Sequence, residues 1–454
     1  METNIWEKYS GKARKPVEDF CSGYREFLSM HKTERECVKF AVSEAEKYGY
    51  RNLNTLIERG EKLREGDKVY AVNMDKAVVL FVVGKQPIEK GVNIVGAHID
   101  SPRIDIKAQP LYESQGFCML DTHYYGGIKK YQWTAQPMAL HGVIVRKDGS
   151  KIDLVFGEDD VVLGFTDLLP HLQKDDKKDI RGEDLNLIAG NIGDKDVKKD
   201  KFKAFVVELL KSRGIGVDDF FSAEIEVVPA GAAKDFGLDR SMIMGYGQDD
   251  RVCAYTALRA MLETETPEFS AMCMLVDKEE IGSVGATGMH SKYFENCVAE
   301  IMNLAGQYSE LGLRRALNRS KMLSSDVTAA VDPNYTAPFN PATDAHFAKG
   351  LSFNKFTGSR GKSGSNDANP EFIAQIRNIM DKNEVAFQAT EMGRVDEGGG
   401  GTIAYIMAKY GMDVIDAGVP VLNMHAPWEI VSKVDVFEAY RGYKAFYSAD
   451  WNKK

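Results

Sequence analysis

The stretch Ala271-Met-Cys-Met-Leu-Val-Asp-Lys-Glu-Glu-Ile-Gly282 decides the fold class. Ala271 to Val276 is apolar throughout and strand-like, and it ends abruptly in four charged residues, Asp277 to Glu280. In open α/β sheets, strand ends are where ligands bind. Two adjacent carboxylates, Glu279 and Glu280, are costly there unless a cation or a shared proton compensates them. One economical explanation is that one glutamate binds a metal ion while the other handles a proton.

Outward from this strand, helical patterns alternate with apolar strands from residue 250 onward, at 251–263, 271–276, 372–382, 402–410 and 420–424. That alternation is the signature of an α/β unit. Upstream, residues 16–49 read as helical, with Thr33 and Glu36 forming a capping-box pattern and Gly49 a stop. Strands follow at 68–73 and 77–83, then Val92-Asn-Ile-Val95 and Gly96-Ala-His-Ile-Asp100. Between 103 and 240 the pattern changes to short period-two segments. His141–Arg146 and Lys151–Phe156, joined through Asp148-Gly149, read as a hairpin. The lysine-rich stretches 173–184 and 193–203 read as solvated loops. The expected fold class is therefore α/β. Residues 1–102 and 241–454 form a catalytic domain with a mixed central sheet and helices on both faces, and a β-rich insert spans 103–240.

The 454 residues, 44% hydrophobic and 28% charged, supply ample material for a large core. A net charge of -9 argues against a nucleic-acid partner, which asks for a basic surface. No run of about 18 apolar residues predicts a membrane span. The N-terminal residues lack a signal-peptide pattern. Six scattered cysteines without a CxxC pair read as buried free thiols of a reducing, cytoplasmic compartment.

Further motifs stand at strand ends. His98 and Asp100 suit a metal ligand and the acid that orients its ring. Gly245-Tyr-Gly-Gln-Asp249-Asp250 places two acids between a glycine-rich turn and a helix, where they could equally be N-caps. Asp326 follows a short apolar segment, and His425 follows another in Leu422-Asn-Met-His425-Ala-Pro-Trp428-Glu429. Each alone is also what a structural residue looks like. Together, two histidines and several acids at strand ends are the donors that zinc or manganese favours. His346, Tyr335 and Asp250 are secondary candidates.

Through Tyr246-Gly-Gln-Asp-Asp-Arg-Val-Cys253, Asp277-Lys-Glu-Glu-Ile-Gly282 and the three motifs around His98, Asp326 and His425, the chain resembles the aspartyl aminopeptidase/aminopeptidase I family. These are dinuclear-metal exopeptidases that assemble into hollow tetrahedral dodecamers. The resemblance implies two divalent ions per subunit, zinc first, with manganese or cobalt also fitting the donors. It implies His98 and Asp326 at one metal, Glu280 and His425 at the other, and Asp249 bridging. Glu279 becomes the general base that moves a proton from a metal-bridging water to the leaving amine, and Asp100 the acid behind His98. His171, in Leu168-Leu-Pro-His171-Leu, resembles a histidine that reaches from the dimerisation domain into a neighbouring subunit's active site as an oxyanion stabiliser. The insert accordingly becomes a dimerisation domain.

The resemblance places Arg394–Thr402, with its glycines 398 to 401 including Gly399 and Gly400, at the substrate pocket. Four glycines allow close backbone approach. Lys355, Arg360 and Lys362 lie in a basic, glycine-rich stretch that could read an acidic N-terminal residue or be a solvated loop. The expected function is removal of N-terminal residues, acidic or Leu/broad, from short peptides. A dinuclear amidohydrolase acting on acylated amino acids and an idle oligomeric peptide-binding scaffold are the alternatives.

Overall fold

Nine strands form the central sheet of the larger of two units into which the chain divides. The computed structural model describes residues 4–158, 161–173 and 180–452, and the side chains of Ser359 and Arg360 lie outside the described set. One unit comprises Met1–Asp100, Ala233–Met424 and Glu429–Lys454, and the other Ser101–Ala232 with His425–Trp428.

In the larger unit the strand order is Arg51–Asn52, Lys68–Asn73, Ala77–Val82, Ser270–Val276, Val92–His98, Lys321–Ser324, Asp413–Gly418, Leu351–Asn354 and Phe387–Thr390. Four central neighbours, from Ser270–Val276 to Asp413–Gly418, run parallel, whereas Ala77–Val82 pairs antiparallel, so the sheet is mixed. The continuous apolar runs follow from burial on both faces. Val78, Leu80 and Val82 pack with Ala271, Cys273 and Leu275 in one core cluster, alongside residues of the helices Arg14–Met30, Gln248–Leu262 and Lys433–Tyr447. Val79 and Phe81 face the opposite way, into a second cluster with Met272, Met274 and the helices Tyr293–Leu304 and Glu310–Arg319. Helices thus cover both faces, as α/β patterning requires. A five-stranded sheet, containing Met242–Gly245 and Glu429–Ser432, lies in the same unit.

The expected helix over 16–49 is two helices, Arg14–Met30 and Glu34–Lys47. The reason is the Thr33 capping box: its hydroxyl accepts from the Glu36 amide while Glu36 reaches back to the Thr33 amide, which starts a new helix and ends the old one. The expected helix over 402–410 shortens to Ala404–Ala408.

The second unit carries a six-stranded antiparallel sheet in the order Lys151–Phe156, Met138–Val145, Ala223–Pro229, Arg103–Ser114, Phe117–Tyr125 and Leu187–Gly190. The hairpin around Asp148-Gly149 joins its first two strands in register Val145↔Lys151. It also holds the helix Lys201–Ser212, whose first residues fall in the stretch 193–203 read as loop. Phe202, Val206, Leu209 and Leu210 recur at helical spacing there, a signal that the surrounding lysines obscured. Of the stretch 173–184, residues 174–179 lie outside the described residues. All six cysteines are buried and free. Among the described residues, no helix is long and apolar enough to cross a membrane.

Candidate metal centre

Three parallel strands deliver the site. Ser270–Val276 and Lys321–Ser324 flank Val92–His98, with Val276 in register with His98 and Ser324 with Gly96. The residues that follow, Glu279 and Glu280, His98 itself with Asp100, and Asp326, therefore emerge at one edge of the sheet. Asp326 needs a glycine beside it. Its carbonyl would lie 1.6 Å from any Cβ at Gly418, so only glycine lets the neighbouring strand end pass.

Asp249 comes from the start of the helix Gln248–Leu262, at a non-helical residue (φ −81°, ψ 105°) joined to Asp250 by a cis peptide. His98, Asp249 and Asp326 offer donor atoms all within 4.8 Å of one another, and so do His98, Glu279 and Glu280. His98 Nε2 lies 3.2 Å from Asp249 Oδ1, 3.8 Å from Asp326 Oδ1 and 4.0 Å from Glu279 Oε2.

The ring of His98 is oriented from behind. Its Nδ1 donates to the main-chain carbonyl of Asp100 at 2.9 Å, with the Asp100 carboxylate 3.3 Å away. A carbonyl can only accept, so Nδ1 carries a proton and Nε2 is the nitrogen that faces the acids. The expected orienting contact from the Asp100 side chain is therefore made chiefly by its backbone. The carboxylate also holds the glutamate pair, since Oδ1 accepts the Glu279 amide and Oδ2 the Glu280 amide, each at 3.1 Å. One acid thereby ties the histidine strand to the Glu279–Ile281 turn.

Electrostatics are those of several acids crowded around one histidine. Burial, and then the charge of Asp326, push the Glu279 carboxyl up to about 8, with His98 opposing. Burial pushes the His98 imidazolium down, but hydrogen bonds to Asp100, Asp249 and Asp326 outweigh it and hold the ring well above its usual range. Burial and the charge of Asp326 raise Asp250 strongly. A divalent cation fits this donor set. The buried Nε2 of His98 faces the Asp249 carboxylate oxygen at 3.2 Å, a spacing that calls for a proton or a cation between them.

His425 follows the strand Pro420–Leu422 with left-handed backbone (φ 65°) and groups with the second unit. Its Nδ1 donates to the Gly127 carbonyl at 2.8 Å, which orients the ring. His171 is exposed in a turn of that unit, among Leu168, Leu169 and Leu172, which are about half exposed or more.

In the glycine loop, Gly399 has φ 119° and the Gly400 amide donates to the Thr357 carbonyl at 2.8 Å. Lys355 and Lys362 both pair with Asp367, the second at 3.1 Å. His346 Nε2 lies 2.9 Å from the Pro341 carbonyl, and Tyr335 is exposed. Sequence reasoning missed Asp416, buried in register with Ser324, whose carboxyl burial pushes up to about 7 while Thr402 donates to it at 2.7 Å. An acid inside the strand Asp413–Gly418 was the available signal.

Residues 27–447 match the model of the aminopeptidase I zinc metalloprotease (M18) family. A probable M18 family aminopeptidase 1 from Clostridium acetobutylicum is 55% identical over 452 residues, covering 98% of this chain and 97% of the relative. A solved M18-family aminopeptidase from Thermotoga maritima superposes with a TM-score of 0.94 at 42% identity, covering 98% of this chain and 99% of its own. The mApe1 dodecamer of S. cerevisiae shares the fold at 18% identity, with a TM-score of 0.76 over 95% of this chain and 97% of its own.

Proposed function

The chain belongs to the M18 aminopeptidase I family of zinc metalloproteases and is a metallo-aminopeptidase, and from that premise we propose that it trims single residues from the N-termini of short peptides with two divalent ions per subunit. The observation that carries this reading is the convergence of His98, Asp249, Asp326, Glu279 and Glu280 at one sheet edge. In the proposed arrangement His98 and Asp326 hold one ion, Glu280 and His425 the other, and Asp249 bridges them. Zinc is the proposed metal, and manganese or cobalt would suit the same donors. When bound, such ions lower the pKa of a water, polarise the scissile carbonyl and bind a free amino group.

The chain's own groups do the rest. Glu279 takes a proton from the attacking water and returns it to the leaving amine, a role suited to a carboxyl that burial has made more basic. Asp100 holds the Glu279 and Glu280 amides so that the base and its neighbour keep their separate jobs. The backbone around Gly399 and Gly400 lines the proposed substrate cleft. The Gly400 amide is already committed to Thr357, so Gly399 supplies the proposed contact.

Lys355 and Lys362 set two positive charges against the one carboxylate of Asp367, at roughly two-fifths exposure. The remaining charge is solvent-screened. We therefore propose broad specificity, in which Asp or Glu is favoured over Leu only slightly. His171 is proposed to enter the active site of a neighbouring copy, with the exposed leucines beside it covered in the assembly. A homo-oligomer of the dodecameric kind is proposed on the likeness to the S. cerevisiae mApe1 dodecamer. The buried free thiols support a reducing, cytoplasmic setting.

The test is Glu279→Gln in protein whose zinc content is measured alongside its rate. The proposal expects unchanged zinc and a loss of about 10²–10⁴ in kcat. Unchanged kcat at full occupancy overturns the assignment of the base.

A further inference from the structure

Asp249 sits on irregular backbone, and something must fix where its carboxylate points. The strand Met242–Gly245 leads into it through Tyr246-Gly-Gln248, and at the strand's end Gly245 is in register with Glu429, the first residue of the strand Glu429–Ser432. Glu429 Oε2 accepts the Asp249 amide at 3.1 Å. The Glu429 carbonyl accepts from Gln248 Nε2 at 2.6 Å, and Gln248 Oε1 in turn accepts from the Tyr24 hydroxyl at 3.1 Å. Gln248, Asp249 and Glu429 are 0%, 3% and 1% exposed.

A buried carboxylate is expensive unless it has a purpose. An apolar residue would fill the same space at less cost, so the acid is there for what its oxygens hold. We infer that Glu429 is a positioning residue of the metal centre, fixing the main chain of Asp249 so that the carboxylate of that ligand stays beside His98. It acts through Asp249, by the hydrogen bond that its side chain accepts from the Asp249 amide. The inference rests on the reading of Asp249 as a metal ligand.

The experiment is competition for Zn²⁺ between a chromophoric chelator and the metal-stripped, full-length protein. Three variants are compared with the parent chain: Glu429→Gln, which keeps an acceptor; Glu429→Met, which keeps the volume but no acceptor; and Asp249→Ala. Thermal melts of the metal-free proteins monitor folding. Glu429→Met is expected to bind zinc about 10–100-fold more weakly, while Glu429→Gln recovers most of the affinity. A purely structural role would shift the melt without that rescue pattern in affinity. If Glu429→Met does not fold, Glu429→Asp, whose shorter carboxylate falls short of the Asp249 amide, should show the same weakening. Parent-like zinc affinity in the folded acceptor-lacking variant overturns the inference alone. Zinc binding undiminished by Asp249→Ala overturns the reading of the metal centre beneath it.

Discussion

Two neighbouring groups, the buried His98 and the half-buried Glu279, hold protons that a cation must displace. In the metal-free protein Glu279 stays protonated up to about pH 8 and His98 is held protonated above its usual range. An arriving cation favours the carboxylate and needs the neutral imidazole, so both groups give up protons on binding. Metal uptake at pH 7 should therefore release protons, and apparent affinity should rise with pH. Calorimetry in buffers of different ionisation enthalpy reads this directly, and proton uptake on binding would contradict it. The donors were legible in the sequence because each stands at the end of an apolar run and is polar where burial makes polarity costly. Asp100's grip on the Glu279 and Glu280 amides was not legible. It depends on the close approach of two strands separated by more than a hundred residues, which no local pattern encodes.

Short polar contacts at element ends set how well these side chains are presented. Asn at position 100 offers one acceptor oxygen where the carboxylate offers two, so Asp100→Asn releases one of the two amides of the Glu279–Ile281 turn. Zinc affinity should fall about 10–100-fold, measurable by chelator competition; parent-like affinity would reduce Asp100 to a bystander. Thr33→Ala removes the cap of the helix Glu34–Lys47. It should cost about 1 kcal/mol in thermal or urea unfolding with kcat unchanged, since the cap touches no metal ligand. That helix start was readable as a local rule, Thr followed three residues later by Glu. The helix Lys201–Ser212 was not, because Lys198, Lys199, Lys201 and Lys203 mask the helical spacing of Phe202, Val206, Leu209 and Leu210.

The whole molecule follows from buried strands that read as continuous apolar runs, such as Ala77–Val82 and Ser270–Val276, and the alternation of such runs with helical patterns made the α/β class legible. Assembly is less legible, since an exposed leucine in one copy records nothing of what covers it. If His171 serves a neighbouring copy, His171→Ala should lower kcat by about 10²–10³, the scale of a lost oxyanion donor, and subunits separated by interface substitutions should be nearly inactive. Full activity of a monomer, sized by light scattering, would contradict that role. Metal-dependent hydrolysis at a free N-terminus is the property on which everything else depends. Metal-stripped protein, refilled with Zn²⁺, Mn²⁺ or Co²⁺, should release nitroaniline from free-amine aminoacyl anilides and not from their N-acetylated counterparts, with Asp and Glu cleaved at rates close to Leu. No release with any of the three metals from intact oligomer, or release from the acetylated substrates alone, would contradict it.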